Sequence, residues 1–263
     1  MTVKNVDLVR HKGNIGGFGE KLKVFCKVLV AKVVDAILPP RCVSCGLVVE
    51  GKQGLCAICW ADVQFITDPI CETTGVPLEV DSYVTDLTLV QPDLNPLYRK
   101  ARSAFVYNKN SKRIVLRFKH ADQTYYVDSL AEMMIRTGDK LLEEADIICP
   151  VPLHWQRLMR RKYNQSALLA NAMAKMVDVI AIPDLLVRTR PTPTQGSLRR
   201  AERAKNVRGA FSLNSKFDPY IQGKTVVLID DVMTTGATVE ECVKVLLDYG
   251  VKHVDVLTLA RVL

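Results

Sequence analysis

At 263 residues and 48% apolar side chains, the chain is long enough for one domain of about 200 residues with an appendage, or for two small domains. It holds no stretch of about eighteen uncharged apolar residues, and no apolar run follows its opening charges, so neither a spanning helix nor a secretory signal is expected. Eight cysteines in such a chain read as metal ligands and buried thiols rather than disulfides. The formal net charge of +8 is uneven: between Trp155 and Arg208 twelve Lys/Arg face three acids, a local +9, and the remainder is close to neutral. Such clustering favours a polyanion or a phosphate-rich ligand, the plainer alternative being a solvated face.

Residues 1–17 carry glycines and charges without period and are expected to be poorly ordered. From Phe18 the apolar residues Phe18, Leu22, Phe25, Leu29, Val33 and Ile37 recur at helical spacing with lysines between them, until Pro39-Pro40 ends the pattern. This basic amphipathic helix suits packing on the following module or a partner, or lying on a membrane surface. Residues 1–40 thus form an N-terminal arm. Cys42-Val-Ser-Cys45 and Cys56-Ala-Ile-Cys59 follow, two CxxC pairs whose thiolates can converge on one tetrahedral S₄ site. With every position filled by cysteine, a structural Zn²⁺ is expected, and no open position is left for catalysis. Cys71-Glu-Thr-Thr74-Gly looks like a third knuckle with threonine in the second cysteine position, so Cys71 can compete for the metal. The module spans about residues 41–80. Residues 78–100 read as a connection, with a short strand at 82–85.

From residue 81 onward strand and helix patterns alternate. Ser103–Tyr107 reads as a strand, Ser111–Lys119 as a short helix and Asp128–Leu142 as a longer one. Ala145–Pro152 is the first central strand and runs into a charged loop, Leu153–Gln165. A helix over Ser166–Val177 precedes a strand at Leu185–Arg188. A long polar loop, Thr189–Arg208, leads to a strand at Ala210–Leu213, and Val226–Ile229 and Val254–Leu259 close the sheet. This alternation predicts an α/β fold on a parallel sheet, with ligands bound at the strands' carboxyl ends.

The densest signal is Val226-Val-Leu-Ile-Asp-Asp-Val-Met-Thr-Thr-Gly-Ala-Thr238. Four apolar residues describe a strand buried on both faces, and two carboxylates, Asp230 and Asp231, stand beyond it. Thr234, Thr235, Gly236, Ala237 and Thr238 then lead into a helical pattern. Backbone N–H groups and the helix dipole converge at such a turn and make an anion seat, with threonine hydroxyls as further donors. Paired carboxylates suit the vicinal hydroxyls of a ribose. Strand, acid pair and cradle together describe a ribose 5-phosphate.

This segment resembles the diphosphoribosyl-binding motif of type I phosphoribosyltransferases. The resemblance implies that Asp230 and Asp231 hold the ribose 2′- and 3′-hydroxyls and that Thr234–Thr238 wrap the 5-phosphate of phosphoribosyl diphosphate. It places the diphosphate-binding loop after the first central strand, giving that role, or a DNA-binding one, to His154, Arg157, Arg160, Arg161, Lys162, Asn164 and Gln165. Arg199, Arg200 and Arg203 would belong to a flexible loop that adds charge over a departing diphosphate. Mg²⁺ would be held mainly by the ligand's diphosphate and ribose hydroxyls. The fold implied is a parallel-sheet type I phosphoribosyltransferase-like domain with a small N-terminal four-cysteine zinc module.

The ordered set Cys42/45/56/59, Arg161-Lys-Tyr-Asn-Gln165, Gln195…Arg203…Asn206…Gly209-Ala-Phe211 and residues 226–238 resembles the ComF family over roughly residues 38–263. Lys162 and Tyr163 stand where that family usually has glycine and phenylalanine, and Thr74 where it has cysteine. Membership implies a cytoplasmic role in natural transformation or DNA utilisation, with single-stranded DNA as a partner and a DNA-uptake helicase or channel protein beside it, membrane association coming through such partners. Arginines interleaved with Trp155 and Tyr163 fit single-strand binding. An active phosphoribosyltransferase with an unknown acceptor, or a regulator sensing phosphoribosyl diphosphate, are the alternatives. No residue is assigned as a catalytic base.

Overall fold

A computed structural model describes residues 39–49, 54–78, 95–120, 126–191 and 200–263. The amphipathic helix expected at 18–37 and the strand expected at 82–85 lie outside these. Arg41–Leu263 form one compact unit. Seven strands are described: β1 (Ala101–Val106), β2 (Ile147–Pro150), β3 (Ile180–Ala181), β4 (Leu186–Arg188), β5 (Phe211–Leu213), β6 (Thr225–Met233) and β7 (His253–Arg261). Five make one sheet in the order β1-β7-β6-β2-β3, every neighbouring pair parallel. The helices are α1 (Ala57–Asp62), α2 (Lys112–His120), α3 (Val127–Thr137), α4 (Asp139–Glu143), α5 (Trp155–Arg161), α6 (Gln165–Ala174), α7 (Arg200–Val207), α8 (Asp218–Ile221) and α9 (Ala237–Asp248).

The central strands read as unbroken apolar runs because both faces of the sheet are covered. Side chains alternate between the faces, so Val227 and Ile229 of β6 meet α3 and α6, while Val226 and Leu228 meet α9 and the β4–β5 hairpin. The helix after β2 therefore lies on one face and the helix after β6 on the other. β2 and β6 are hydrogen-bonded neighbours, with Ile147 opposite Val226 and Pro150 opposite Ile229. Their carboxyl ends open a crevice where the winding of the chain reverses, the place where open α/β sheets bind ligands.

Several boundaries differ from the sequence expectation, each for a packing reason. The long helix at 128–142 is two helices broken at Gly138, where an added Cβ would come within 2.5 Å of Leu257 Cδ2. Leu185–Arg188 is not a central strand: β4 pairs antiparallel with β5 in a separate two-stranded sheet, and the short β3 takes the place beside β2. β6 continues through Asp230 and Asp231 to Met233, because its pairing with β7 extends to Met233–Arg261. The charged segment after β2 is not a loop throughout but contains α5, and the long polar loop expected at 189–208 ends in α7.

The cysteine module is built onto the sheet. Phe65 bridges Phe105, the Ile66 N–H donates to the Ala104 carbonyl at 3.0 Å, and the Val106 N–H donates to the Gln64 carbonyl at 2.9 Å. These bonds cover the edge of β1, which would otherwise present unpaired backbone groups. A chain of aromatic contacts runs Trp60–Phe65–Phe105, the first pair tilted with centroids 4.5 Å apart and the second edge-to-face at 6.4 Å. Val43, Leu55 and Val63 enter the same apolar cluster as Phe118, Leu130 and Met134.

Candidate functional site

The first knuckle is a tight turn in which the Cys42 N–H donates to the Leu47 carbonyl at 2.7 Å and the Gly46 N–H to the Cys42 carbonyl at 2.8 Å. The second pair starts α1, with Cys56 as its N-cap. The thiol sulfurs of Cys42, Cys45, Cys56 and Cys59 all lie within 4.8 Å of one another, and those of Cys45 and Cys56 are 3.7 Å apart. That matches the edge of a tetrahedron with metal–sulfur bonds of about 2.3 Å, so the four cysteines fit a structural Zn²⁺. The thiols are unequal before any metal binds. Burial works against the Cys42 thiolate, yet the backbone N–H groups of Cys45, Cys56 and Ser44 outweigh it and bring that thiol down to about 6. Burial pushes Cys59 up to about 12, and the neighbouring sulfurs add to it. A dication is what lets all four ionise together.

Cys71 lies outside this cluster, although its backbone repeats the knuckle. The Cys71 N–H donates to the Val76 carbonyl and the Gly75 N–H to the Cys71 carbonyl, both at 2.8 Å. Gly75 has φ 68° and sits against the Ala101 carbonyl, a place with no room for a Cβ. Burial disfavours the Cys71 thiolate, but the Thr74 hydroxyl, the N–H groups of Thr74 and Thr73, and the Arg261 charge lower its pKa overall. Arg261 also donates to the Thr74 carbonyl.

At the switch point a cleft of about 280 Å³ is lined by Asp230, Asp231, Thr234, Gly236, Ala237 and Thr238, and across from them by Asn164, Gln165 and the Val151–Leu153 turn. Gly236, with φ 78°, is the N-cap of α9 and brings no capping side chain of its own. The N-terminus of this twelve-residue helix, with the positive end of its dipole, faces the cleft, the chemistry an anion seat needs. The acids precede it within β6. Asp230 Oδ1 accepts the Ser166 hydroxyl at 3.0 Å and the Asp231 N–H at 2.8 Å. Asp231 Oδ2 pairs with Lys119 Nζ at 3.0 Å. Burial, reinforced by the Asp231 charge, pushes Asp230 up to about 7, against the pull of the Asp231 N–H, Lys119 and Ser166.

The Arg161–Gln165 segment ends α5 and starts α6, and Tyr163, Asn164 and Gln165 are used structurally. Asn164 caps α6, accepting the Ser166 N–H at 3.1 Å and donating to the Val151 carbonyl at 3.0 Å. Gln165 donates to the Lys119 carbonyl at 3.2 Å, and the Tyr163 hydroxyl to the Phe118 carbonyl at 3.4 Å. His154 is only 4% exposed and caps α5, its Nδ1 accepting the Gln156 N–H at 3.4 Å. Arg157, Arg160 and Arg161 stand on α5 rather than on an open loop, and Lys162 is its left-handed C-cap. Arg200 and Arg203 stand on α7, at the end of the long polar segment, and Arg199 lies outside the described residues. Thr235 sits in the turn between β6 and α9 without lining the cleft.

Four cleft residues carried no signal in the sequence: Tyr107, Lys119, Ser166 and Arg188. Each belongs to an element far from residues 226–238 in the chain. The Gly209-Ala-Phe211 stretch explains one of them, since the Arg188 guanidinium lies 5.1 Å from the centre of the Phe211 ring.

A parallel sheet whose switch-point cleft joins an acid pair to a helix-capped anion seat, fused to a four-cysteine module, defines a zinc-ribbon protein with a phosphoribosyltransferase-like domain. Comparison with known families agrees: a double zinc ribbon domain matches residues 33–88 and a phosphoribosyl transferase domain residues 164–263. Competence protein F of Haemophilus influenzae is 32% identical over 232 residues, covering 84% of this chain and 96% of that protein. DNA utilization protein YhgH of Escherichia coli is 28% identical over 236 residues, covering 86% of this chain and 99% of that protein. Among solved structures, one of the allosteric regulatory enzyme of purine biosynthesis aligns with TM-score 0.37 and 19% identity, over 55% of this chain and 30% of that one. The chain belongs to the ComF family.

Proposed function

We propose that the cleft binds a phosphorylated ribose, as phosphoribosyl diphosphate with Mg²⁺ or as a nucleotide 5′-phosphate, and that the protein handles single-stranded DNA during natural transformation or DNA utilisation. One observation carries the first half: two adjacent carboxylates and the glycine-capped N-terminus of α9 line the same cleft at the sheet's switch point. The 5-phosphate takes the α9 amides with Thr234 and Thr238, and the ribose hydroxyls donate to Asp230 and Asp231. Mg²⁺ would lie on the diphosphate and ribose oxygens, with the two carboxylates behind them. The names of the relatives and the basic stretch around α5 support the second half. Trp155 is 63% exposed on the same helix whose sequence carries Arg157, Arg160 and Arg161, a composition that suits stacked bases and a phosphate backbone. The work is expected on the cytoplasmic side of the uptake machinery, beside a helicase or channel protein. No helix among the described residues is long and apolar enough to cross a membrane.

Calorimetry with phosphoribosyl diphosphate and Mg²⁺ tests the sugar site. Saturable binding that Asp230→Asn abolishes is expected, and heat unchanged in that variant would refute it. A gel shift with single-stranded DNA tests the other half: retardation should weaken steeply with salt and disappear in the Arg160→Ala/Arg161→Ala double variant. A second reading, transfer of the phosphoribosyl group to an acceptor through an oxocarbenium-like state, is favoured by Arg188. Arg188 of β4 lines the same cleft and brings a positive charge that suits an acceptor bearing negative charge. Diphosphate release on adding candidate acceptors is its test.

A further inference from the structure

We infer that Lys119 decides which sugar phosphate the cleft takes, by pairing with an anionic substituent on the anomeric carbon, so that phosphoribosyl diphosphate is preferred to a nucleoside 5′-monophosphate. This rests on the sugar-phosphate reading of the cleft and narrows it.

Lys119 is held in place rather than reaching in from solvent. Its carbonyl accepts the Gln165 side chain, the preceding carbonyl accepts the Tyr163 hydroxyl, and Phe118 is buried in the core. Ser166, next in the chain after Gln165, donates to Asp230. One short segment at the start of α6 thus fixes both the lysine and the acid pair it serves. The Lys119 and Asp231 side chains are 23% and 13% exposed, shielded enough for the charge to matter and open enough for a ligand to reach.

The chemistry follows from the ribose ring. With its 5-phosphate on α9 and a hydroxyl donating to Asp231, the sugar brings the neighbouring anomeric carbon to the same carboxylate, and so to the ammonium 3.0 Å from that carboxylate. A diphosphate there gains a charge-assisted hydrogen bond, whereas a base offers the lysine no negative charge. Without the lysine, only the Mg²⁺ that the diphosphate brings would offset the charge of the acid pair. Among the described residues lining the cleft the cations are Lys119 and Arg188, and Arg188 is seated over Phe211 on another strand. Lys119 is the one paired with the acids.

The test is calorimetry on the zinc-loaded full chain with three ligands: phosphoribosyl diphosphate with Mg²⁺, ribose 5-phosphate, and adenosine 5′-monophosphate. Wild type should bind the diphosphate most tightly, and the reverse order overturns the inference without any variant. Lys119→Met should lose at least about tenfold for the diphosphate and less than about threefold for the other two. Lys119→Arg should recover most of the loss. Equal losses for all three ligands, or none, would reduce Lys119 to a structural prop. Wild type binding none of them would instead refute the sugar-phosphate reading itself, and this inference with it.

Discussion

At the scale of single residues, two positions carry a measurable cost. Lys162 is the one non-glycine among the described residues with positive φ, 68°, and it occupies the place where the ComF pattern has glycine. A left-handed C-cap is where glycine avoids a Cβ clash, so Lys162→Gly should stabilise the protein by about 1 kcal/mol in urea denaturation. Asp230 carries the other cost. Its folded-state pKa of about 7 is far above the usual aspartate value, so between about pH 4 and pH 7 the folded form holds a proton that the unfolded form has released. Stability should therefore fall as pH rises through that window. In Asp230→Asn the amide oxygen can still accept the Ser166 hydroxyl and the Asp231 N–H, and the slope should disappear. Melting curves should show the variant matching wild type near pH 4 and exceeding it above pH 7.

Elements are set by what they pack against as much as by their own pattern. The periodicity across 128–142 is continuous, yet α3 and α4 separate at Gly138, a position where Leu257 of β7 fills the space a side chain would need. Gly138→Ala should cost about 1–3 kcal/mol, read as a drop in the denaturation midpoint with an unchanged slope. Pairing with β7 likewise carries β6 past its apolar run and holds Asp230 and Asp231 in extended backbone. Both then face the cleft from a strand rather than from a mobile turn, and a fixed acid pair loses little entropy on gripping a sugar.

For the molecule as a whole, the cysteine module and the sheet share a core, so metal and fold should be lost together. The Tyr126 hydroxyl donates to the Cys42 carbonyl at 3.4 Å, and Val43, Leu55 and Val63 lie among the side chains under α3. Zinc analysis is expected to give one ion per chain. Chelation should lower the melting temperature of the entire unit by about 10 °C or more in a single transition. A separate early transition confined to the module would show that the shared core is weaker than its burial implies.

The residues alone specified what depends on short spacing. The cysteine pairs, the apolar run of β6, the acid pair and the small-residue turn at Thr234–Gly236 are each set by neighbours within a dozen positions, and so were legible. What the sheet brings together was not. Lys119, Ser166 and Arg188 reach the cleft only because strands distant in the chain pair in the two sheets, a relation that no local pattern records. Thr74 in the third knuckle was readable as a missing ligand, but its supporting partner, Arg261, comes from the far end of the chain. Local chemistry selects the parts. Long-range strand pairing, which closes over intervals of a hundred residues, decides which of them meet.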